Sequence, residues 1–158
     1  MKTERLGHYV SNKNERTYVC FYSDHLALSP AYPSFLHGVA EMVESGAGYG
    51  MTFWKDDECQ TMYVRDITDG EPGPVVASTV FRHVAEQSYI WIEMTSVNKD
   101  HRGQRLYQFM HEYYEALAKR WGVKKLSGNV NVNNIASVKQ RESVGFKTRL
   151  LVQDKIIK

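Results

Sequence analysis

At 158 residues the chain is long enough for one domain with a full core and too short for two ordinary ones. A formal net charge of +2 gives bulk electrostatics no reason to favour nucleic acid or a membrane surface, and 42% hydrophobic with 12% aromatic residues is a globular composition. Two cysteines, Cys20 and Cys59, are too few for a disulfide scaffold and point to a reducing setting, cytoplasmic or otherwise intracellular.

The opening MKTERLGHYVSNKNER is polar, shows little periodicity and lacks the apolar core of a signal peptide. Residues 16–22 (RTYVCFY) read as a strand from their β-branched and aromatic content. A helix is predicted over 33–45, with Phe35, Leu36, Val39, Met42 and Val43 as its apolar stripe, and GAGYG at 46–50 as the turn that ends it. Strands follow at 59–67 and 75–85 around the turn signal DGEPGP. The run 89–97 alternates: Ile90, Ile92, Met94 and Ser96 on one face, Tyr89, Trp91, Glu93, Thr95 and Val97 on the other. A long helix over 103–121 carries the stripe Leu106, Phe109, Met110, Tyr113, Leu117 and Trp121, with Gly122 as its stop. Then come a strand at 124–132, a short helix at 134–144 ended by Gly145, and a last strand at 146–157. No apolar run nears the ~20 residues of a membrane span. The order predicts one α/β (α+β) domain over 1–158, a mixed central sheet flanked by helices.

Several features invite chemistry and do not support it. GAGYG lies between a helix and a strand, the wrong context for a phosphate loop. HEYYE at 111–115 lacks the second histidine of a zinc-binding helix and reads as the polar side of an amphipathic one. The histidines show no ligand spacing, so no metal is expected. Asn129 and Asn131 alternate with valines on a shared face, open to a ligand amide or to solvent. Lys119-Arg120 and Lys124-Lys125 either reach a ligand phosphate or are ordinary charge at a helix end.

The stretch VNKDHRGQRLYQ, residues 97–108, is different. An apolar strand enters a short basic turn that opens the long helix. Unpaired N–H groups and the helix dipole there make an anion site. With this loop and the element order, residues 75–146 resemble the GNAT family, the acetyl-CoA-dependent N-acetyltransferases. The family strand ends in an apolar residue, here Val97, and an Arg-Gly pair, Arg102-Gly103, follows. The family loop reads Arg/Gln-x-x-Gly-x-Gly/Ala; here the two small residues are Arg105 and Tyr107. The family's later motif, Asn-x-x-Ala-x-x-x-Tyr-x-x-x-Gly-Phe, is matched by Asn134, Ser137 and Gly145-Phe146, with Arg141 in place of the tyrosine that often protonates the departing thiolate.

The resemblance implies acyl transfer from acetyl-CoA to a primary amine, on a small molecule or a protein, by direct attack in a ternary complex. It puts Val97, Arg102, Gly103, Gln104, Arg105 and Asn134 at the cofactor, and Glu93 and Arg141 at the reaction. An Arg105 guanidinium can take a phosphate in place of amides, or the loop only caps a helix. Arg141 cannot give up a proton near neutrality but can hold a thiolate by charge; the alternative is an ordinary surface arginine. Glu93 is either the base for the amine or the partner of a neighbouring arginine, Arg82 or Arg65. The loss of both loop residues and the tyrosine together also fits a non-catalytic GNAT-fold assembly protein. The chain's size and last motif resemble the degenerate GNAT-like internal virion proteins of podophages.

Overall fold

In the computed structural model, residues 1–46, 58–130 and 134–149 are described. Their strands form one six-stranded sheet in sequential order: β1 (Thr3–Val10), β2 (Thr17–Ser23), β3 (Gln60–Asp66), β4 (Val75–Val84), β5 (Tyr89–Val97) and β6 (Lys125–Gly128). The first four pairings are antiparallel and the β5–β6 pairing is parallel, so the sheet is mixed as expected. The sheet is flanked by α1 (Tyr32–Glu44), α2 (Leu106–Arg120) and α3 (Ile135–Ser143).

Strand β1 is absent from the sequence reading. It bulges at Leu6, where Arg5 pairs with Phe21 and Gly7 with Cys20. The extra residue breaks the period of two, so Leu6 and Tyr9, the positions that pack on the core, sit three apart. The segments 47–57, 131–133 and 150–158 lie outside the described residues, and with them most of GAGYG, Asn131 and most of the expected last strand.

Two cores lie on opposite faces of the sheet. The larger joins Leu106, Phe109, Met110, Tyr114, Leu117 and Ala118 of α2 to Tyr18, Cys20, Met62, Val64 and Phe81. The Leu, Phe, Met and Val side chains among them each contribute about 1.5–3 kcal/mol when fully buried. The smaller joins Phe35 of α1 to Leu26, Cys59, Val80 and Met94. Helix α1 meets the sheet along Phe35, Gly38 and Met42, and a Cβ on Gly38 would lie 2.9 Å from the Ser96 side chain. That line leaves Leu36 and Val43 at 48% and 64% exposure, not in the stripe assigned to them. The two cysteines are buried.

A polar network ties the end of β3 to the turn before α2. Asp66, 4% exposed, accepts from Arg16 at 2.6 Å and from the Thr68 hydroxyl at 2.6 Å. The Tyr18 hydroxyl lies 3.1 Å from Nδ1 of His101, which is 3.9 Å from Asp66. Burial works to raise the Asp66 carboxyl, but the bonds from Thr68 and Arg16 outweigh it and hold it below its ordinary value. A carboxyl depressed in the folded state adds stability above its unfolded value and loses it as pH falls through the folded one. Thermal midpoints taken from about pH 6 down to about pH 3 should therefore fall in the wild type. In Asp66→Asn they should start lower and depend less on pH.

Candidate active site

Strand β5 carries the site because it is irregular. Along β4 its partners run Thr79–Thr95, Val80–Met94, then Phe81–Ile92, so Glu93 is the extra residue of a bulge. The bulge reverses the alternation. Ile90, Ile92 and Val97 pack with α2, whereas Met94 packs with α1 and Ser96 lies against Gly38. The single-face groupings of the sequence reading are corrected by that one residue.

On its other edge β5 pairs with β6 only from Tyr89–Lys125 to Ile92–Gly128. Residues 93–97 run on without a β6 partner among the described residues, so the two strands part there. Gly128 sits at the fork. A Cβ there would lie 2.7 Å from the Ile92 carbonyl oxygen and 3.0 Å from the Arg141 guanidinium.

The turn between β5 and α2 holds most of the expected binding residues together. Gly103 has φ +76° and Arg105 has φ +62°. Arg105 thus keeps the left-handed backbone that glycine adopts freely, at a cost of about 1–2 kcal/mol for a residue with a Cβ. The first bond of the helix runs from the Phe109 N–H to the Arg105 carbonyl at 3.0 Å. The amides of Leu106, Tyr107 and Gln108 precede it and have no helical acceptor. Arg102 Nε donates to the Val97 carbonyl at 2.8 Å, and its Nη2 to Glu41 of α1 at 3.0 Å. Gln104 accepts from the Ser11 hydroxyl at 2.7 Å, and Lys13 donates to the Gly103 carbonyl at 2.9 Å. Arg102 and Gln104 therefore hold the turn in place. Arg105 is exposed and has no partner among the described residues.

Behind the turn, where the strands part, is a hollow of about 10 Å³ lined by Ile92 and Thr95 of β5 and by Tyr107, His111 and Tyr114 of α2. Tyr107 stacks on His111 with ring centroids 6.3 Å apart, and His111 meets Phe146 edge-on at 5.9 Å. The Arg141 guanidinium lies over the Phe146 ring at 5.8 Å. No carboxylate pairs with Arg141 among the described residues, and burial pulls its guanidinium below the ordinary range. Burial also raises the Tyr107 phenol, and pushes that of Tyr114 well above 10. The Tyr114 hydroxyl is buried and has no hydrogen-bond partner among the described residues.

The expected site residues thus divide. Val97, Arg102, Gly103, Gln104 and Arg105 share the turn, and Arg141 stands at the fork. Glu93, with its side chain 6% exposed, accepts from Arg82 Nε at 2.5 Å, the pairing that was the alternative reading of this residue. Asn134 caps α3, its side chain accepting from the Ser137 N–H at 3.2 Å. The sequence puts Tyr114 and His111 on the polar side of α2, yet Tyr114 is core and His111 lines the hollow. The signal for them was present: 107, 110, 111 and 114 repeat at i, i+3, i+4 and i+7.

The residues present suit a CoA nucleotide at the turn. A Cβ at Gly103 would meet nothing within 4 Å, so the outer face of the loop is open. The lone guanidinium of Arg105 and the first-turn amides offer donors to a pyrophosphate. Replacing Arg105 with glycine should relieve the left-handed strain and stabilise the fold by about 1 kcal/mol in chemical denaturation. The same variant should lose affinity for acetyl-CoA, as read by calorimetry.

No curated protein sequence matches the chain. Among solved structures, the GNAT domain of S. lividans PAT is similar with a TM-score of 0.65 at 11% identity, covering 94% of this chain and 91% of that one. Ribosomal-protein-alanine N-acetyltransferase from Brucella melitensis gives 0.61 at 15% identity, covering 89% and 98%. The ribosomal-protein-S18-alanine N-acetyltransferase from Escherichia coli gives 0.57 at 17%, covering 83% and 79%. At these identities the likeness speaks for the fold. The model of the acetyltransferase (GNAT) family matches residues 26–146, from before α1 to the Gly145-Phe146 pair. With that match over most of its length, the chain belongs to the GNAT acetyltransferase family.

Proposed function

We propose that the protein transfers an acetyl group from acetyl-CoA to a primary amine, by direct attack of the amine in a ternary complex. The observation that carries this reading is the parting of β5 from β6 at Gly128, beside a helix-opening turn that has kept its left-handed shape. Two of the similar structures are named as alanine N-acetyltransferases, which agrees with an amine acceptor. The assembly alternative gains no supporting observation among the described residues.

Acetyl-CoA supplies an activated acyl group on a thiol whose ordinary pKa is about 8.5. The amides of Leu106 to Gln108 and the Arg105 side chain bind its pyrophosphate. Tyr107 rotates away from His111 to admit the acyl arm, since the hollow as it stands has room for about one water. The edge of residues 93–97 that has no β6 partner among the described residues orients the thioester. Arg141 stands where charge collects on sulfur and neutralises it. An amine acceptor, with an ordinary pKa of about 10.4, must lose a proton to attack. Glu93 Oε1 is bound to Arg82, so Oε2 accepts that proton through water.

Calorimetry with acetyl-CoA, followed by thiol release over a set of primary amines, tests the reading. Binding in the micromolar range and amine-dependent thiol release are expected. No heat at millimolar acetyl-CoA would overturn it. Glu93→Gln keeps a hydrogen bond to Arg82 but removes the base. It should lower kcat by about 10²-fold and leave the KM for acetyl-CoA unchanged.

A further inference from the structure

One group at the hollow is unused by the scheme above. Tyr114 is 3% exposed, and its hydroxyl finds no hydrogen-bond partner among the described residues. A buried hydroxyl left unpaired costs the full penalty of its desolvation, and native folds keep few of them. Its aim is set by packing: the ring meets Phe81 edge-on, with centroids 4.9 Å apart and planes at 65°. It lines the hollow together with Ile92 and Thr95, the residues of β5 on either side of the bulge. Ile92 is also the last residue paired with β6, through Gly128, and the guanidinium of Arg141 lies against Gly128. The phenol and a cation with no carboxylate partner among the described residues therefore both lie beside the point where the strands part.

Building on the acyl-transfer reading, we infer that Tyr114 is a catalytic residue whose hydroxyl donates a hydrogen bond to the departing sulfur. It supplies from α2 the donor that the family pattern places at position 141. The amine nitrogen forms the C–N bond with its lone pair and loses a proton to Glu93. The C–S bond breaks and its electron pair stays on sulfur. The thiolate is held by the Tyr114 O–H and by the charge of Arg141. A phenol raised well above 10 by burial keeps its proton beside a thiol of about 8.5, so Tyr114 acts as a fixed donor and not as an acid. This divides the work of one family tyrosine between two residues, with Arg141 supplying charge and Tyr114 supplying the hydrogen bond.

The test is Tyr114→Phe, which removes the oxygen and keeps the ring. Its thermal midpoint should equal or exceed that of the wild type, because an unpaired polar atom leaves the core. Its kcat should fall by about 10²-fold, with the KM for acetyl-CoA within about threefold of the wild type. Wild type should bind CoA more tightly than desulfo-CoA and release protons as it does so, since the site favours the thiolate. Tyr114→Phe should lose about tenfold of that preference while binding desulfo-CoA as before. An unchanged CoA to desulfo-CoA ratio and kcat, or a midpoint lowered by several degrees, would overturn the assignment and leave acyl transfer standing. If neither compound binds the wild type, the acyl-transfer reading itself fails, and the role of Tyr114 falls with it.

Discussion

Among the described residues four pairs hold β6 to β5, and that ladder stops at Gly128. Everything at the candidate site depends on that early stop. Beyond it the backbone of residues 93–97 has no β6 partner among the described residues, and open edges inside a fold demand a partner or a ligand. Gly128 permits the last close pairing, since a Cβ there would strike the Ile92 carbonyl. The bulge at Glu93, immediately past the last pair, turns Thr95 toward α2 and Met94 toward α1. One extra residue thus builds both walls of the fork: a hollow on the α2 side and a packed core on the α1 side.

The turn that opens α2 shows how a shape outlives its usual residue. A left-handed backbone is needed to aim the first-turn amides outward, and glycine adopts it freely. Here Arg105 adopts it at φ +62°, and the strain is offset by contacts around it. Arg102 is fastened to Val97 and to Glu41, Gln104 to Ser11, and Gly103 to Lys13. Those bonds reach to β5, α1 and the β1–β2 turn, so the loop is determined by three distant elements. Strain held in place by surrounding structure is characteristic of functional turns.

The same trade appears at the fork. A cation half removed from water and a buried phenol hydroxyl, neither with a hydrogen-bonded or ionic partner among the described residues, are both unfavourable in the free protein. Neither improves the core, and an apolar pair of similar volume would pack at lower cost. Their place beside the parted strands makes sense if an anionic atom completes them. The Glu93–Arg82 pair does the opposite: it is satisfied within the fold, and it pins the bulged residue to the neighbouring strand.

The order of elements from β2 to α3, the mixed sheet, the position of the turn that opens α2 and the family were legible in the sequence, because they rest on local signals: apolar periodicity, turn residues and two spaced motifs. Strand β1 and the faces of β5 were not, because bulges at Leu6 and Glu93 shift the period of two and only strand pairing reveals them. The stripe on α1 was misread for a related reason: the side of a helix that is buried depends on what it meets, here Ser96 against Gly38. Tertiary structure alone decided that Arg102, Gln104 and Asn134 carry internal bonds, that Arg105 has no partner among the described residues, and that Tyr114 lines the hollow with a hydroxyl unpaired among them. A side chain's type fixes which bonds it can make; which of them it has already made is settled by neighbours that the chain brings from far away.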